Sequence, residues 1–405
     1  MITFTTSQAD LFAPVVEEFY PSYGGGNSLI HPIINILFDE EINPNNLSED
    51  LVRLVHASSN EIHPSIIEHH IVDEKSLVVL YPQGDLLPDA NYRISIQPGI
   101  ADEFGNTSTS TYSSIFHTNE GGYLSDIAID DFESGITSNW WDPAQSGSTT
   151  GTLSEETSRG ANTSTVALTE GSTSAMQLNY GWNTTAGSWL IREYLGGGSP
   201  RNVHFTASKT MQAYIFGDGN GNKFRFCVDD NINGSGAHEV SPWFVIDWYG
   251  WRLVSWNMAT DGTGSWIGDG SLDGTLEFDS IQLTYEPGQP NIGSYIIDEL
   301  RVVDPTIVDV DNQKTVLPKR FALLDNYPNP FNPMTNIPFT LAKEANVKIK
   351  VFNLQGEELA LLFSGKLPQG RHETRWNASR FSTGIYLVQM EADGVSVSKK
   401  ITVLK

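Results

Sequence analysis

The sequence predicts an all-β, multi-domain chain, and three observations carry that prediction. Apolar residues alternate with period two in Ile34-Asn35-Ile36-Leu37-Phe38, Tyr92-Arg93-Ile94-Ser95-Ile96 and Val347-Lys348-Ile349-Lys350-Val351. Turn dipeptides such as Asp218-Gly219, Asn220-Gly221 and Asp393-Gly394 recur at short intervals. No stretch keeps a helical period for more than about three turns, the mean helix length in globular proteins. Residues 46–55 are the one place where a short helix is expected, capped by Asn46 or Ser48. With 36 Gly and 20 Pro in 405 residues, short strands and frequent turns point to sandwiches or jelly rolls.

Composition divides the chain further. Residues 318–405 hold 12 of the 24 basic and 7 of the 49 acidic residues, a balance of +5, so the first 317 residues carry −30. Nine of the ten Trp lie between Trp140 and Trp266. These two breaks require at least three modules, and residues 305–325 read as the linker before the last. A net charge of −25 excludes binding to a phosphate backbone, which needs Lys/Arg patches, so no nucleic-acid partner is expected. No apolar run reaches the eighteen or so residues of a membrane span. The single Cys227 excludes a disulfide framework, and nothing near it in sequence would activate it as a nucleophile.

Residues 11–120 form the first full module. Its turns Leu87-Pro88-Asp89-Ala90-Asn91-Tyr92 and Asp102-Glu103-Phe104-Gly105-Asn106 lie between apolar strands, and Ile115-Phe116-His117-Thr118 closes it. This segment resembles the bacterial Ig-like domain of S-layer proteins and large secreted enzymes, which implies a sandwich that spaces or presents other modules. His63, His69 and His70 with Glu68 fit no metal-ligand spacing and are expected in polar loops. Ile2-Thr3-Phe4-Thr5-Thr6-Ser7 echoes Ser114-Ile115-Phe116-His117-Thr118-Asn119. Residues 1–10 are therefore expected to be the remnant of a preceding Ig-like repeat, in a chain taken from the C-terminal part of a larger secreted protein.

Residues 121–304 carry the informative chemistry. The module opens with Ile127-Ala128-Ile129-Asp130-Asp131-Phe132-Glu133 and closes with Tyr295-Ile296-Ile297-Asp298-Glu299-Leu300-Arg301-Val302-Val303. It resembles the galactose-binding-like, jelly-roll carbohydrate-binding modules, whose first and last strands lie close together and in which sugar binding is common and catalysis is not. Asp298 alternates in phase with Ile296, Leu300 and Val302, and a carboxylate on a core face must be paired, hydrogen-bonded or metal-bound. Asp130, Asp131 and Glu133 are the expected co-ligands, and an oxygen-only set selects structural Ca²⁺. The competing expectation pairs Asp298 with Arg301. A second acidic run, Asp229-Asp230-Asn231-Ile232-Asn233-Gly234, begins like a calcium loop, but its twelfth position is Val240, so it is expected to be a polar hairpin.

Sugar binding needs a flat exposed aromatic beside hydrogen-bonding groups. Trp141, Trp189 with Arg192, Tyr214 and Trp243 are the expected carbohydrate-binding residues, while Trp251 and Trp256 are assigned structural roles. The acidic balance favours a neutral plant or algal β-glycan over a strongly anionic one. Catalytic patterns such as His-Glu-x-x-His, Gly-x-Ser-x-Gly or a phosphate-binding loop are missing from the sequence, so a non-catalytic role is expected.

The tail holds the densest motif. Asn326-Tyr327-Pro328-Asn329-Pro330-Phe331-Asn332-Pro333 precedes Val347-Lys348-Ile349-Lys350-Val351-Phe352-Asn353-Leu354-Gln355-Gly356, Thr383-Gly384-Ile385-Tyr386-Leu387 and a terminal Lys399-Lys400-Ile401. Residues 326–405 closely resemble the C-terminal sorting domain of the type IX secretion system. That implies a small β-sandwich, export by the translocon of a Bacteroidetes-like bacterium, and a secreted or outer-membrane surface location. The chain thus reads as an Ig-like sandwich, a calcium-stabilised jelly roll binding a polysaccharide or cell-surface glycan, and a sorting domain. The alternatives are a structural or adhesive surface protein without sugar binding, and an accessory part of a polysaccharide-degrading enzyme whose catalytic domain lies elsewhere.

Overall fold

A computed structural model describes residues 10–119, 123–168, 172–197, 200, 202–230, 237–305, 322–323, 331, 333–341, 343–367 and 370–403. The expected remnant strand at residues 1–7, most of the linker and the segment 231–236 lie outside the described residues. The chain divides into two compact units, residues 1–306 and 307–405.

The first unit opens with two facing sheets. One orders Val16–Tyr20, Ile34–Phe38, Lys75–Pro82 and Ser65–Val72; the other orders Gly25–Ser28, Tyr112–Thr118, Asn91–Ile96, Val52–His56 and Ile62–His63. Between them pack Ile34, Ile36, Phe38, Val78, Leu80 and Ile94. The helix expected over residues 46–55 does not form. A 3-10 turn, Pro44–Asn46, is capped by Asn43, and the chain then enters the strand Val52–His56. Val52 and Leu54 point into the core at a spacing of two, and that burial overrides the capping signal.

The jelly roll follows as two six-stranded sheets. The first runs Ser158–Asn162, Ala175–Gly181, Ile292–Pro305, Thr210–Asp218 and Tyr249–Asn257, with Tyr123–Asp130 also pairing Ile292–Pro305. Opening and closing strands are antiparallel, Ile127 facing Val302, as their matched patterns predict. The second sheet runs Ile191–Tyr194, Leu276–Thr284, Asn222–Asp230 and Ala237–Val240, with His204–Phe205 and Phe244–Ile246 attached. Trp140, Trp182, Trp256, Phe224, Phe226 and Tyr295 fill the space between the sheets.

The two sandwiches share a further buried cluster. Leu37, Leu77, Val79 and Tyr81 from the Ig-like outer face meet Tyr214, Trp251 and Ile296 from the first jelly-roll sheet. This second contact explains why all five residues of Ile34–Phe38 are buried although their sequence alternates. Asn35 stands where an apolar residue would leave the backbone unmet: its Nδ2 donates to Trp251 O at 2.6 Å and its Oδ1 accepts from Trp251 N at 3.1 Å. Gly250 makes room, since a Cβ there would lie 2.5 Å from Asn35 Oδ1 and its φ is +85°. One face of the jelly roll is therefore closed by the Ig-like sandwich.

The second unit pairs a three-stranded sheet, Ala322–Leu323, Met334–Leu341 and Gly370–Asn377, with a four-stranded one, Glu358–Leu367, Ala345–Phe352, Gly384–Ala392 and Val395–Val403. Val347, Ile349 and Val351 alternate into its core, where Trp376 packs against Phe331, Phe381 and Tyr386.

Candidate functional site

The outer face of the second jelly-roll sheet is polar, held together by charge-assisted bonds and largely buried, with Arg225, Asp279 and Gln282 at 3%, 0% and 0% exposure. On Asn222–Asp230, Phe224, Phe226 and Val228 enter the core, which turns Arg225, Cys227 and Asp229 to the opposite face. The neighbouring strands add Arg192 and Tyr194, then Gln282, and His238 opposite Asp229. Arg192 binds both oxygens of the buried Asp279, through Nε at 3.1 Å and through Nη2. Ser280 Oγ donates to Asp279 Oδ2 at 2.7 Å. His238 Nδ1 is bonded to Asp229 and lies 3.7 Å from Asp279. Its bond to Asp229 raises the His238 pKa, an effect that exceeds the opposing cost of burial. Arg225 Nε donates to Gln282 Oε1 at 2.9 Å and Nη1 to Ser265 O at 3.2 Å, while Gln282 Nε2 is buried with no partner among the described residues.

Aromatic rings border this floor. The Arg225 guanidinium lies 4.0 Å from the centre of Trp243. Arg192 lies 4.4 Å from Tyr194 and 5.5 Å from Trp266, and the Trp266 ring is tilted 35° to that of His238 at 5.6 Å. Trp141, 44% exposed, meets Tyr194 edge-on at 5.1 Å. Gly196 makes this possible, because a Cβ there would lie 2.8 Å from Trp141 Nε1.

Of the expected sugar contacts, Trp141, Arg192 and Trp243 therefore stand on one face. Trp189 is half-buried at its edge, packed edge-on against Tyr285, with Nε1 donating to Asn183 O at 2.8 Å. Arg192 partners Trp266 and Tyr194, and not Trp189. Tyr214 corrects the expectation: it is 2% exposed, on the first sheet, covered by the Ig-like outer face, and offers no platform. Trp251 and Trp256 are fully buried, the first in the shared cluster and the second in the jelly-roll core. Sequence reasoning missed Trp266, His238, Arg225, Gln282 and Asp279. The alternation of Arg225, Cys227 and Asp229 with three core residues was the available signal.

The acidic cluster lies at the opposite side of the fold. Asp298 is fully buried; its Oδ2 accepts from Ala167 N and Ser172 Oγ, both at 2.9 Å, and its Oδ1 from Glu299 N at 2.8 Å. Burial pushes its pKa up to about 7. Ser172 Oγ is also 3.1 Å from Glu133 Oε1, so one hydroxyl sits between the two carboxylates. Partial burial raises the Glu133 pKa, but bonds from Thr173, Ser174 and Ser172 outweigh it and hold the group below its ordinary value. Asp130 is turned away, accepting from Trp140 Nε1 at 2.7 Å and Phe132 N at 2.9 Å. Asp131 is exposed and accepts from Glu133 N at 3.2 Å. Phe132 and Glu299, beside these acids, hold left-handed φ values of +57° and +49°, strain of a kind concentrated at functional sites. Arg301 pairs with Asp126 and Glu299 at 3.3 and 3.2 Å, which answers the rival expectation for Asp298. In the second acidic run, Asp229 is committed to His238, and Asp230 accepts from Asp273 N at 3.2 Å. The rest of that run, residues 231–234, lies outside the described residues.

Comparison with known proteins agrees with the two flanking modules. Residues 325–404 match the family model of the secretion system C-terminal sorting domain. Residues 10–118 match that of the bacterial Ig-like domain. The chain carries a type IX sorting tail and is a secreted protein, bound for the cell surface or beyond it. Among solved structures it is similar to the family 11 carbohydrate-binding module of a cellulosomal cellulase of Clostridium thermocellum, with 16% identity, 45% of this chain and 96% of that one covered, and a TM-score of 0.28. It is similar to the family 30 carbohydrate-binding module of another cellulosomal cellulase of that organism, at 13%, 45%, 100% and 0.29. A Caldicellulosiruptor saccharolyticus module, CBM27-1, solved with mannohexaose, gives 14%, 45%, 98% and 0.27. No curated protein matches the chain. The domain types recognised are non-catalytic ones, and no helix of the described residues is long and apolar enough to cross a membrane.

Proposed function

We propose that the jelly roll binds carbohydrate on the outer face of its second sheet, as the non-catalytic part of a secreted or surface-attached protein. The observation that carries this reading is the border of partly exposed aromatics, Trp141, Trp243 and Trp266, with Arg192 among them, above a buried network of Arg225, Gln282 and Asp279. A sugar presents an apolar C–H face and a polar edge, and this surface offers stacking rings beside oriented donors and acceptors. The Asp279–Arg192 and Asp229–His238 pairs hold the floor before a ligand arrives, which limits the ordering cost of binding. Affinity electrophoresis of the full chain through soluble polysaccharides tests the reading. Retarded migration on at least one glycan, lost on Trp266→Ala and Trp141→Ala at unchanged melting temperature, is the expected result. No retardation on any glycan refutes it.

The second part of the proposal is a structural Ca²⁺ between Glu133 and Asp298. The all-oxygen surroundings, and a buried Asp298 that no cationic side chain neutralises among the described residues, favour a hard cation there. Asp130 and Asp131 belong to the loop that shapes this cluster, with Asp130 held by Trp140.

A further inference from the structure

Where the seam between the Ig-like sandwich and the jelly roll ends, it leaves a cavity of about 390 Å³. Small-molecule sites occur preferentially at domain interfaces and begin at roughly 300 Å³. Both sandwiches supply the walls: Val72 and Asp73 on the Ig-like side, Phe216, Asp218, Asn220 and Tyr249 on the jelly roll. Solvent reaches it, since Asp73 is exposed and the other five are only partly buried. A two-residue turn joins Ser65–Val72 to Lys75–Pro82, with Val72 facing Lys75 and left-handed φ values of +50° at Asp73 and +59° at Glu74. Such a turn matches the twist of its strands and needs positive φ at both positions. It carries Asp73 across to the jelly roll, where Tyr249 Oη donates to Asp73 Oδ2 at 3.1 Å. Gly219 makes room for the Tyr249 ring, because a Cβ there would lie 2.3 Å from Tyr249 Cζ.

The polar groups of this cavity are acceptors. Asp73 Oδ1 and Asn220 Oδ1 have no donor among the described residues, because Asp73 is bonded through Oδ2 and Asn220 through its two nitrogens. Asp218 takes neutral donors, Tyr180 Oη at 2.6 Å, Ser294 N at 3.0 Å and Asn220 N at 3.1 Å. Neither carboxylate is paired with a cationic side chain among the described residues, and the nearby Lys75 is bound to Glu17. We infer that this cavity binds a neutral sugar unit, whose hydroxyls donate to Asp73 and Asn220 while its C–H face lies against Val72, Phe216 and Tyr249. It is a second site, on the other sheet from Trp243 and Trp266, and does not rest on the reading of that face. Two carboxylates without a cation repel a uronate or a sulfate ester. A protonated amine would satisfy one acceptor as a compact charge, whereas the unspent acceptors belong to two side chains beside an apolar wall. Because each sandwich supplies part of the wall, a bound sugar also ties the two together and stabilises their joint.

The experiment titrates the full chain calorimetrically with cellobiose, mannobiose, lactose, glucosamine and glucuronate, in the unaltered chain and in one carrying Trp266→Ala to silence the other face. Binding of at least one neutral disaccharide in both chains is expected, with a rise in the melting temperature of residues 1–306. Asp73→Asn keeps a residue type that tolerates positive φ and removes the charge, so it should weaken binding on the order of tenfold to a hundredfold. Val72→Trp fills the cavity without changing its charge and should abolish binding. If one of these two variants does not fold, the other decides. Silence of every neutral disaccharide overturns the site, and so does binding that both variants leave unchanged. Glucosamine bound in the absence of neutral binding makes the cavity a cation site, and glucuronate bound as tightly as a neutral sugar removes the electrostatic argument; either result refutes the assignment.

Discussion

The Ig-like sandwich and the jelly roll should unfold together, and Asn35 is the place to break them apart. Its side chain pairs with both backbone groups of Trp251 in the manner of a neighbouring strand, at a site where neither partner reaches water. Asn35→Leu keeps the branched shape and removes both bonds, leaving one N–H and one C=O buried and unmet. Each such group costs about 1–3 kcal/mol, so the loss is about 2–6 kcal/mol. At about 2–4 °C per kcal/mol for a domain of 150–250 residues, a mid-range loss of about 4 kcal/mol lowers the transition by roughly 8–16 °C. The cost falls on the seam and not on either core, so the single transition expected of residues 1–306 should also split in two. Differential scanning calorimetry reads both effects. Two separate transitions already present in the unaltered chain, or no change in Asn35→Leu, would falsify the claim that the seam joins the domains.

Removing residues 307–405 should leave the melting of the first unit unchanged, since each unit has its own core, and should block secretion in a type IX host; normal export of the truncated chain refutes the sorting role. Chelation should lower the melting temperature of the first unit, because a ligand at a hundred times its dissociation constant adds about 2.7 kcal/mol to the folded state. Asp298→Asn should abolish the difference between chelated and calcium-loaded protein, and coincident curves in the unaltered chain reject the ion. The raised His238 pKa means that the folded state binds its proton more tightly than the unfolded chain does. Its contribution is therefore complete below the ordinary histidine range and is lost as pH rises through the folded value. His238→Gln should remove that loss, as melting temperatures measured across the neutral range will show, and an unaltered pH profile in the variant counts against it.

How much of this was legible in the sequence depended on the distance over which each feature is determined. Period-two alternation in Val347–Val351 set which residues enter the sorting-domain core, because a strand fixes its own two faces. The Asn326–Pro333 run identified the tail without any structure. What covers a face is a different matter. Asn35 and Leu37 look like the solvent side of a half-buried strand until the jelly roll is laid against them, and Tyr214 looks exposed for the same reason. Arg225, Cys227 and Asp229 declared their side of the sheet by alternation. Their partners Gln282, Asp279 and His238 come from other strands, and Trp266 from a loop, so the constellation exists only after folding. The acidic cluster was half legible. The phase of Asp298 placed it in the core, and Glu133 reaches it through Ser172, but nothing local announces that Asp130 will be claimed by Trp140 ten residues later.

The acidic cluster and the domain seam also touch one another, which bears on what calcium would control. Tyr81, on the Ig-like outer face, donates its hydroxyl to Val166 O at 3.1 Å. The next residue, Ala167, donates its N–H to Asp298. Tyr214, buried in the seam, is the direct cross-strand partner of Asp298, beside a register shift in the pairing. A change in the charge of Asp298 is therefore one residue away from the contacts that hold the Ig-like sandwich in place. An ion that compensates Asp298 stabilises the loop containing Val166 and Ala167, and that loop forms part of the surface on which Tyr81 rests. The calcium proposed above would act on the joint as well as on the jelly roll. Because one sheet of the jelly roll is spent on that joint, the joint fixes how the other sheet is presented. Loosening it should change how the proposed binding face is displayed without altering a single residue on that face.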